Sequence, residues 1–386
     1  MEKIGVGIIG ASPVNPGWAV AAHIPALKAL PQYEIRAVST SHRDSADAAG
    51  KAFDVTAYDN PEDLIRHPGV DLVVVAIRVT SHQTIVSEVL RAHKMVFAEW
   101  PLGVNLSEAL DLRAKAHEAG VRTVVGLQAR FSPQVQRARQ LIVKGYIGDV
   151  LSTSLVGSAG SWGGVTRRNS SYIFDESNGA TPLSVSMLHA LDAVNFLLGD
   201  FATLAAASGV RTPQVRITDD NSTITATTPD QVAVCGTLKN GAIASVFYRG
   251  GQSRGSNFYW EVNGSDGDLV FEADIGNLQV ADVRLRGGIG SSTQVADLAV
   301  PDPDKQSLPR LPNGMPSNVA RLYLQFARDL SDGTHIAPDF DYAISRHELI
   351  ERIRRATHAT ESHQSRVCDH GTGIDSQAVR KLRINE

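Results

Sequence analysis

Five short apolar runs, each parted from the next by a stretch with helical spacing, fill the first third of this chain and leave few folds open to it. The runs are 4–10 (IGVGIIG), 34–39 (EIRAVS), 70–77 (VDLVVVAI), 95–99 (MVFAE) and 122–128 (RTVVGLQ). Runs that are apolar at nearly every position read as parallel strands buried on both faces. The intervening segments 18–30 (broken by Pro25), 44–53, 82–93 and 105–119 read as helices. Strand–helix alternation at this spacing implies right-handed crossovers and a doubly wound, Rossmann-type parallel sheet.

The pattern then changes. Residues 133–145 predict one more helix, with Pro133 in its first turn. Strand-like stretches follow: DVLSTSLVGS, ITATTP, QVAVCGTLKNGAIASVFYRGG, NFYWEVNGSDGDLVFEAD and LQVADVRL. Lys239-Asn240-Gly241 and the Asn263–Asp266 segment are hairpin signals. A helix is expected at about 181–198, a Pro/Asp-rich loop at 299–316, closing helices near 317–331 and 341–360, and a loosely held polar tail after about 365. The fold class is therefore α/β. A dinucleotide-binding domain over 1–128 precedes an α+β domain over 129–386, with a large, open, mostly antiparallel sheet.

Apolar residues make up 42% of the 386 and charged residues 20%, with a net charge of −4. That balance provides no pull toward nucleic acid or an anionic membrane. No apolar run reads as the roughly 18 residues of a membrane span. The first strand starts too early to leave room for a signal peptide. The two cysteines, Cys235 and Cys368, make neither a metal-spaced pair nor a disulfide framework. A cytoplasmic soluble protein is the expectation.

After the first strand comes Gly10-Ala11-Ser12-Pro13-Val14-Asn15-Pro16-Gly17. The usual dinucleotide fingerprint is G-x-G-x-x-G, whose glycines let backbone approach the pyrophosphate at a helix N-terminus. Here Ser12 replaces the second glycine and the loop is longer. Gly10, Ala11, Ser12 and Trp18 are the candidate contacts. At the end of the second strand an acidic residue would bind the ribose 2′-OH. The chain has Ser39-Thr40-Ser41-His42-Arg43 instead. Ser41 and Arg43 suit a 2′-phosphate, which points to NADP, with NAD left open; a solvated polar loop is the plain alternative. Ile77 and His82, Glu99 and Trp100, and Gln128 stand at or just beyond the ends of later strands, where the crevice opens. Trp100 either covers the nicotinamide or is a packing residue.

The segments AIRVTSH, AEWPL, GLQARFSP, KGYIGDV, GSWGG and LHALDAVNFLLG, with Gly17-Trp18-Ala19 and His23, resemble the glucose–fructose oxidoreductase/inositol dehydrogenase/MocA family. The branch most similar includes the fungal repressor of the galactose regulon. The resemblance implies a Rossmann domain, a second domain whose open sheet mediates assembly into a homodimer or homotetramer, and bound NAD or NADP. For the family's enzymes it implies hydride transfer at a sugar or cyclitol carbon, and so a small, carbohydrate-like substrate.

Family enzymes carry E-K-P at the fourth strand end and an aspartate four residues before a histidine. Here the three positions read Trp100, Val185 and His189. Only the histidine can exchange a proton. Asp192, on the same helix face, is expected to orient it, and Tyr172 to assist; Arg130, Glu176 and Trp162 are further cleft candidates. The plain alternative for His189 is a packed helix histidine. Two functions remain: an NAD(P)-dependent oxidoreductase with His189 as acid/base, or a non-catalytic NAD(P)-binding regulator.

Overall fold

The computed structural model describes residues 2–305, 308 and 311–370. Its first sheet is built from β1 (Ile4–Ile9), β2 (Tyr33–Ser39), β3 (Thr56–Tyr58), β4 (Leu72–Val75), β5 (Met95–Ala98) and β6 (Thr123–Val125). The order is β3-β2-β1-β4-β5-β6, and all neighbours are parallel. Helices α1 (Ile24–Lys28), α2 (Arg43–Phe53), α3 (Pro61–Arg66), α4 (His82–Arg91) and α5 (Leu106–Ala119) connect the strands. Every residue of β4 is buried, which is why it reads as an unbroken apolar run. Asn105 Oδ1 accepts the Glu108 amide at the start of α5, and Gly120, at φ 63°, ends that helix. Strand β3 and helix α3 were not foreseen, being too short to show periodicity.

The chain continues through α6 (Pro133–Val143), β7 (Val150–Ala159), β8 (Val165–Thr166), α7 (Leu188–Leu198), β9 (Phe201–Gly209), β10 (Gln214–Ile217) and β11 (Thr223–Thr225). Then come β12 (Gln231–Leu238), β13 (Ile243–Gly250), β14 (Phe258–Gly264), β15 (Gly267–Ala273), β16 (Arg284–Ile289) and β17 (Ala296–Asp297). Eight of these make the second sheet, ordered β17-β16-β15-β14-β7-β13-β12-β9. It is antiparallel throughout except at β7–β13. Both foreseen hairpins are present, β12–β13 and β14–β15. The segment ITATTP supplies β11, which joins a separate three-stranded sheet ordered β11-β10-β8. The strand expected over LQVADVRL begins only at Arg284: the amides of Val280 and Ala281 both donate to Asn277 O at 2.9 Å, closing a turn.

A π-helical turn (Leu183–Met187) leads into α7. The segment 176–198 is long and apolar enough to cross a membrane, against the expectation, but 83% of its 18-residue apolar window is buried inside the fold. Helix α8 (Met315–Asp332) turns back to the first sheet, against α1 and the π-helical turn Ala19–His23. There Tyr33 donates its hydroxyl to Tyr323 O at 2.8 Å. Helix α9 (Phe340–His370), longer than expected, lies along β9 and α5. The tail expected to be loosely held lies, from residue 371, outside the described residues.

Candidate functional site

In the first sheet the strand order reverses between β1 and β4, and open α/β sheets bind ligands in the crevice beyond the strand ends at such a point. The loop after β1 leaves through Gly10 at φ 96°. A Cβ there would lie 2.5 Å from Ala76 O, so the loop requires glycine at this position. The amides of Gly10 and Ala11 both donate to Ser39 O, at 3.0 and 3.2 Å, tying the loop to the end of β2. Ser12 Oγ accepts the Asn15 amide. This local bond shapes the longer loop in place of the second fingerprint glycine.

A cavity of about 370 Å³ opens where the ends of β4 and β5 meet α7 and the second sheet. Trp18, Ile77, His82, Glu99, Trp100, Gln128, Tyr172 and His189 all line it. The sequence had singled out each of these eight.

The polar groups on its wall fall into two kinds. Some are fully engaged. The Trp100 indole N–H donates to Ser184 O at 2.5 Å, and its ring lies 4.7 Å from that of His347. His82 sits between two backbone carbonyls, Ile77 O at 3.2 Å and Leu102 O at 3.3 Å. Burial pushes its pKa down. Glu99 Oε1 accepts His23 Nε2–H at 2.9 Å, which leaves His23 Nδ1 to accept the Tyr323 hydroxyl at 2.7 Å.

Others are buried without a hydrogen-bond partner: Trp18 Nε1, both amide atoms of Gln128, Gln279 Oε1 and His189 Nδ1. Each such group costs about 1–3 kcal/mol if it stays unmatched, so a ligand or water has a place prepared there. Burial lowers the His189 pKa to about 4, against the opposing pull of Glu99 and Asp192. Its imidazole is therefore neutral at pH 7.

Asp192 does not orient His189. It receives Arg130 Nε–H at 2.8 Å, a second Arg130 N–H, and the Tyr342 hydroxyl at 2.8 Å. Neither Asp192 nor Arg130 lines the cavity. Burial alone would lower the Arg130 pKa, and Asp192 and Tyr342 together more than reverse that. Glu176 is likewise off the wall, 4.0 Å from Arg354. Ser41 and Arg43 are exposed at the start of α2, with Arg43 paired to Asp47 at 3.1 Å. Trp162 lines the cavity and donates to Ile173 O at 3.1 Å.

Five polar lining residues were not singled out beforehand: Arg78, Ser161, Ser170, Asn277 and Gln279. The Arg78 guanidinium lies 4.3 Å from the Tyr172 ring centre and donates to Asn169 O. A glutamine inside the apolar run LQVADVRL was the available signal for Gln279.

The glycine-bearing loop, the switch-point crevice and the unmatched polar atoms fit a dinucleotide, and comparison with known proteins agrees. Residues 4–127 match the oxidoreductase family with an NAD-binding Rossmann fold, and residues 133–273 match the Gal80p C-terminal domain. The galactose/lactose metabolism regulatory protein GAL80 of Saccharomyces cerevisiae is 30% identical over 304 residues, covering 73% of this chain and 69% of that protein. Dehydrogenase aclE of Aspergillus oryzae is 29% identical over 290 residues, covering 70% and 77%. The crystal structure of a super-repressor mutant of Gal80p from S. cerevisiae superposes with a TM-score of 0.83 at 26% identity, covering 93% and 97%. The chain belongs to the GFO/IDH/MocA oxidoreductase family, in the branch that carries a Gal80p-like second domain.

Proposed function

We propose that this protein is an NAD(P)-dependent oxidoreductase that oxidises a hydroxyl of a sugar, polyol or related small molecule. The observation that carries this reading is a set of unmatched buried polar atoms on residues that line one cavity, with the neutral imidazole of His189 among them. Gly10, Ala11 and Ser12 would hold the pyrophosphate. Ser41 and Arg43, exposed at the start of α2, suit a 2′-phosphate and favour NADP. Trp18, Glu99, Trp100 and Gln128 would bound the nicotinamide end.

The chemistry NAD(P)⁺ supplies when bound is acceptance of a hydride. His189 would take the hydroxyl proton as the carbinol hydrogen departs with the C–H electron pair, which balances alcohol to carbonyl. At pH 7 His189 is in the neutral form that can take this proton, and its pKa of about 4 makes it a weak base that passes the proton on readily. Gln279 and the Trp162 wall position the polyol, and Tyr172 stands at the same wall. The same reading carries assembly as a homodimer or homotetramer through the eight-stranded sheet, which light scattering checks.

One observation favours a second reading, a regulator that binds NAD(P) without turnover. Trp100 and Val185 stand at the family's lysine and aspartate positions, and the only N–H of Trp100's side chain is already given to Ser184. An alkoxide would form there without a neighbouring ammonium.

Thermal stabilisation by NAD⁺, NADH, NADP⁺ and NADPH, each with and without aldoses, polyols and keto-sugars, tests the proposal. A ligand at about 100 times its Kd adds roughly 2.7 kcal/mol. Stabilisation by one dinucleotide, enhanced by a sugar and followed by turnover of that pair, supports the enzyme. Stabilisation without turnover of any pair supports the regulator. No stabilisation by any dinucleotide overturns both.

A further inference from the structure

A second cavity, of about 270 Å³, is walled by α6, α8 and the loop 301–304, with Phe196 of α7, two turns beyond His189, at its edge. Arginines dominate it: Arg130, Arg137, Arg139, Arg321 and Arg328 all line it. Three are matched by carboxylates, Arg130 by Asp192, Arg321 by Asp302 and Arg328 by Asp304. Arg137 and Arg139 have no ion-pair partner among the described residues.

The matching is also incomplete where it exists. Arg321 is 7% exposed, and only one of its three guanidinium nitrogens reaches Asp302. Its Nε and Nη1, and Arg137 Nε, are buried without an acceptor. A buried guanidinium N–H without an acceptor is costly. The missing component is a set of oxygen acceptors carrying negative charge, because guanidinium forks match carboxylate and phosphate oxygens in pairs. The guanidinium of Arg139 is held 4.4 Å from the Phe196 ring centre, which restricts it at the rim.

We propose that this cavity binds a small multivalent oxyanion, a phosphate ester or a polycarboxylate, as a site separate from the dinucleotide crevice. The anion lies against Arg130, whose partner Asp192 shares α7 with His189, so it rests on the same scaffold that carries the candidate base.

The test is thermal stabilisation of the full chain by inorganic phosphate, pyrophosphate and citrate, against sodium chloride at matched ionic strength. The expected result is saturable stabilisation by at least one anion, weakened tenfold or more by Arg137→Gln with Arg139→Gln, and less by Arg139→Gln alone. Stabilisation of the double variant by dinucleotide stays as in the parent, which shows that the variant folds and separates this site from the crevice. A response to pyrophosphate or phosphate marks the ester class, and a response to citrate marks the polycarboxylates. No saturable effect beyond chloride overturns the proposal. So does an effect equal in parent and double variant, which belongs to the pyrophosphate loop.

Discussion

Helix α7 presents titratable groups to two environments that differ sharply. Toward the dinucleotide crevice it offers His189, whose Nδ1 has no partner and whose pKa is held near 4. Three residues on, Asp192 is fully buried yet receives two N–H groups from Arg130 and the Tyr342 hydroxyl. Burial is nearly the same for both; what differs is completion. The scaffold side is saturated by the chain itself, whereas the crevice side leaves its hydrogen-bonding capacity open. In this protein incompleteness marks where a ligand belongs.

Breaking the saturated side should have the largest effect. Asp192→Ala leaves Arg130 as an uncompensated buried cation, with an expected loss of about 3–5 kcal/mol in urea denaturation. A loss below about 1 kcal/mol would show that Tyr342 and water carry the guanidinium unaided, and the contrast between the two environments would fail.

On the open side, His189→Ala should leave stability near that of the parent while lowering turnover by roughly 10²–10⁴, the scale of a general acid–base group. Unchanged kcat with an active substrate pair removes His189 from the chemistry.

The pH dependence of stability sharpens the same contrast. His189, at about 4, and His347, at about 3, both lie below the unfolded value near 6.5 because burial opposes their charging. Between these values the unfolded chain binds more protons than the folded one. Stability therefore rises with pH through this window and is lost as pH falls from about 6.5 toward 4. Denaturation midpoints at successive pH values measure the slope, and His189→Gln should flatten it. An equal slope in the variant would place the protonation elsewhere.

The smallest effect is expected at Gln128, whose amide is buried and unmatched. Gln128→Leu should raise the stability of the ligand-free protein by up to about 1 kcal/mol and weaken dinucleotide binding. Tighter or unchanged binding would mean that Gln128 does not meet the cofactor.

Much of the first sheet was readable because β1, β4 and β5 are buried on both faces and write that burial into unbroken apolar runs. Part of the cavity wall was readable for a related reason: Ile77, His82, Glu99 and Trp100 follow the ends of β4 and β5. What escaped depends on distance along the chain. Tyr342 meets Asp192 and Arg130 across 150 and 212 positions, and no local pattern announces such a meeting. Asp192 was consequently assigned to His189, its neighbour in sequence, when its true partners come from elsewhere. Over LQVADVRL the alternation of apolar residues suggested a strand, but a turn at Asn277 takes the amides that a ladder would need, and this turn brings Gln279 to the cavity. The arginine cavity was equally hidden, since its wall combines α6, α8 and the 301–304 loop.

The return of α8 to the first sheet has a consequence for how the protein is made. His23 and Tyr323, which touch through their ring nitrogen and hydroxyl, are separated by 300 positions. At about 5–20 residues per second, a ribosome needs about 15–60 s to bridge that interval. Throughout it the nascent first sheet lacks the helix that covers Tyr33 and Phe97, so that apolar surface of the amino-terminal half emerges uncovered. Chains stalled before residue 315 should bind a hydrophobic-surface dye, and chains released after residue 332 should not.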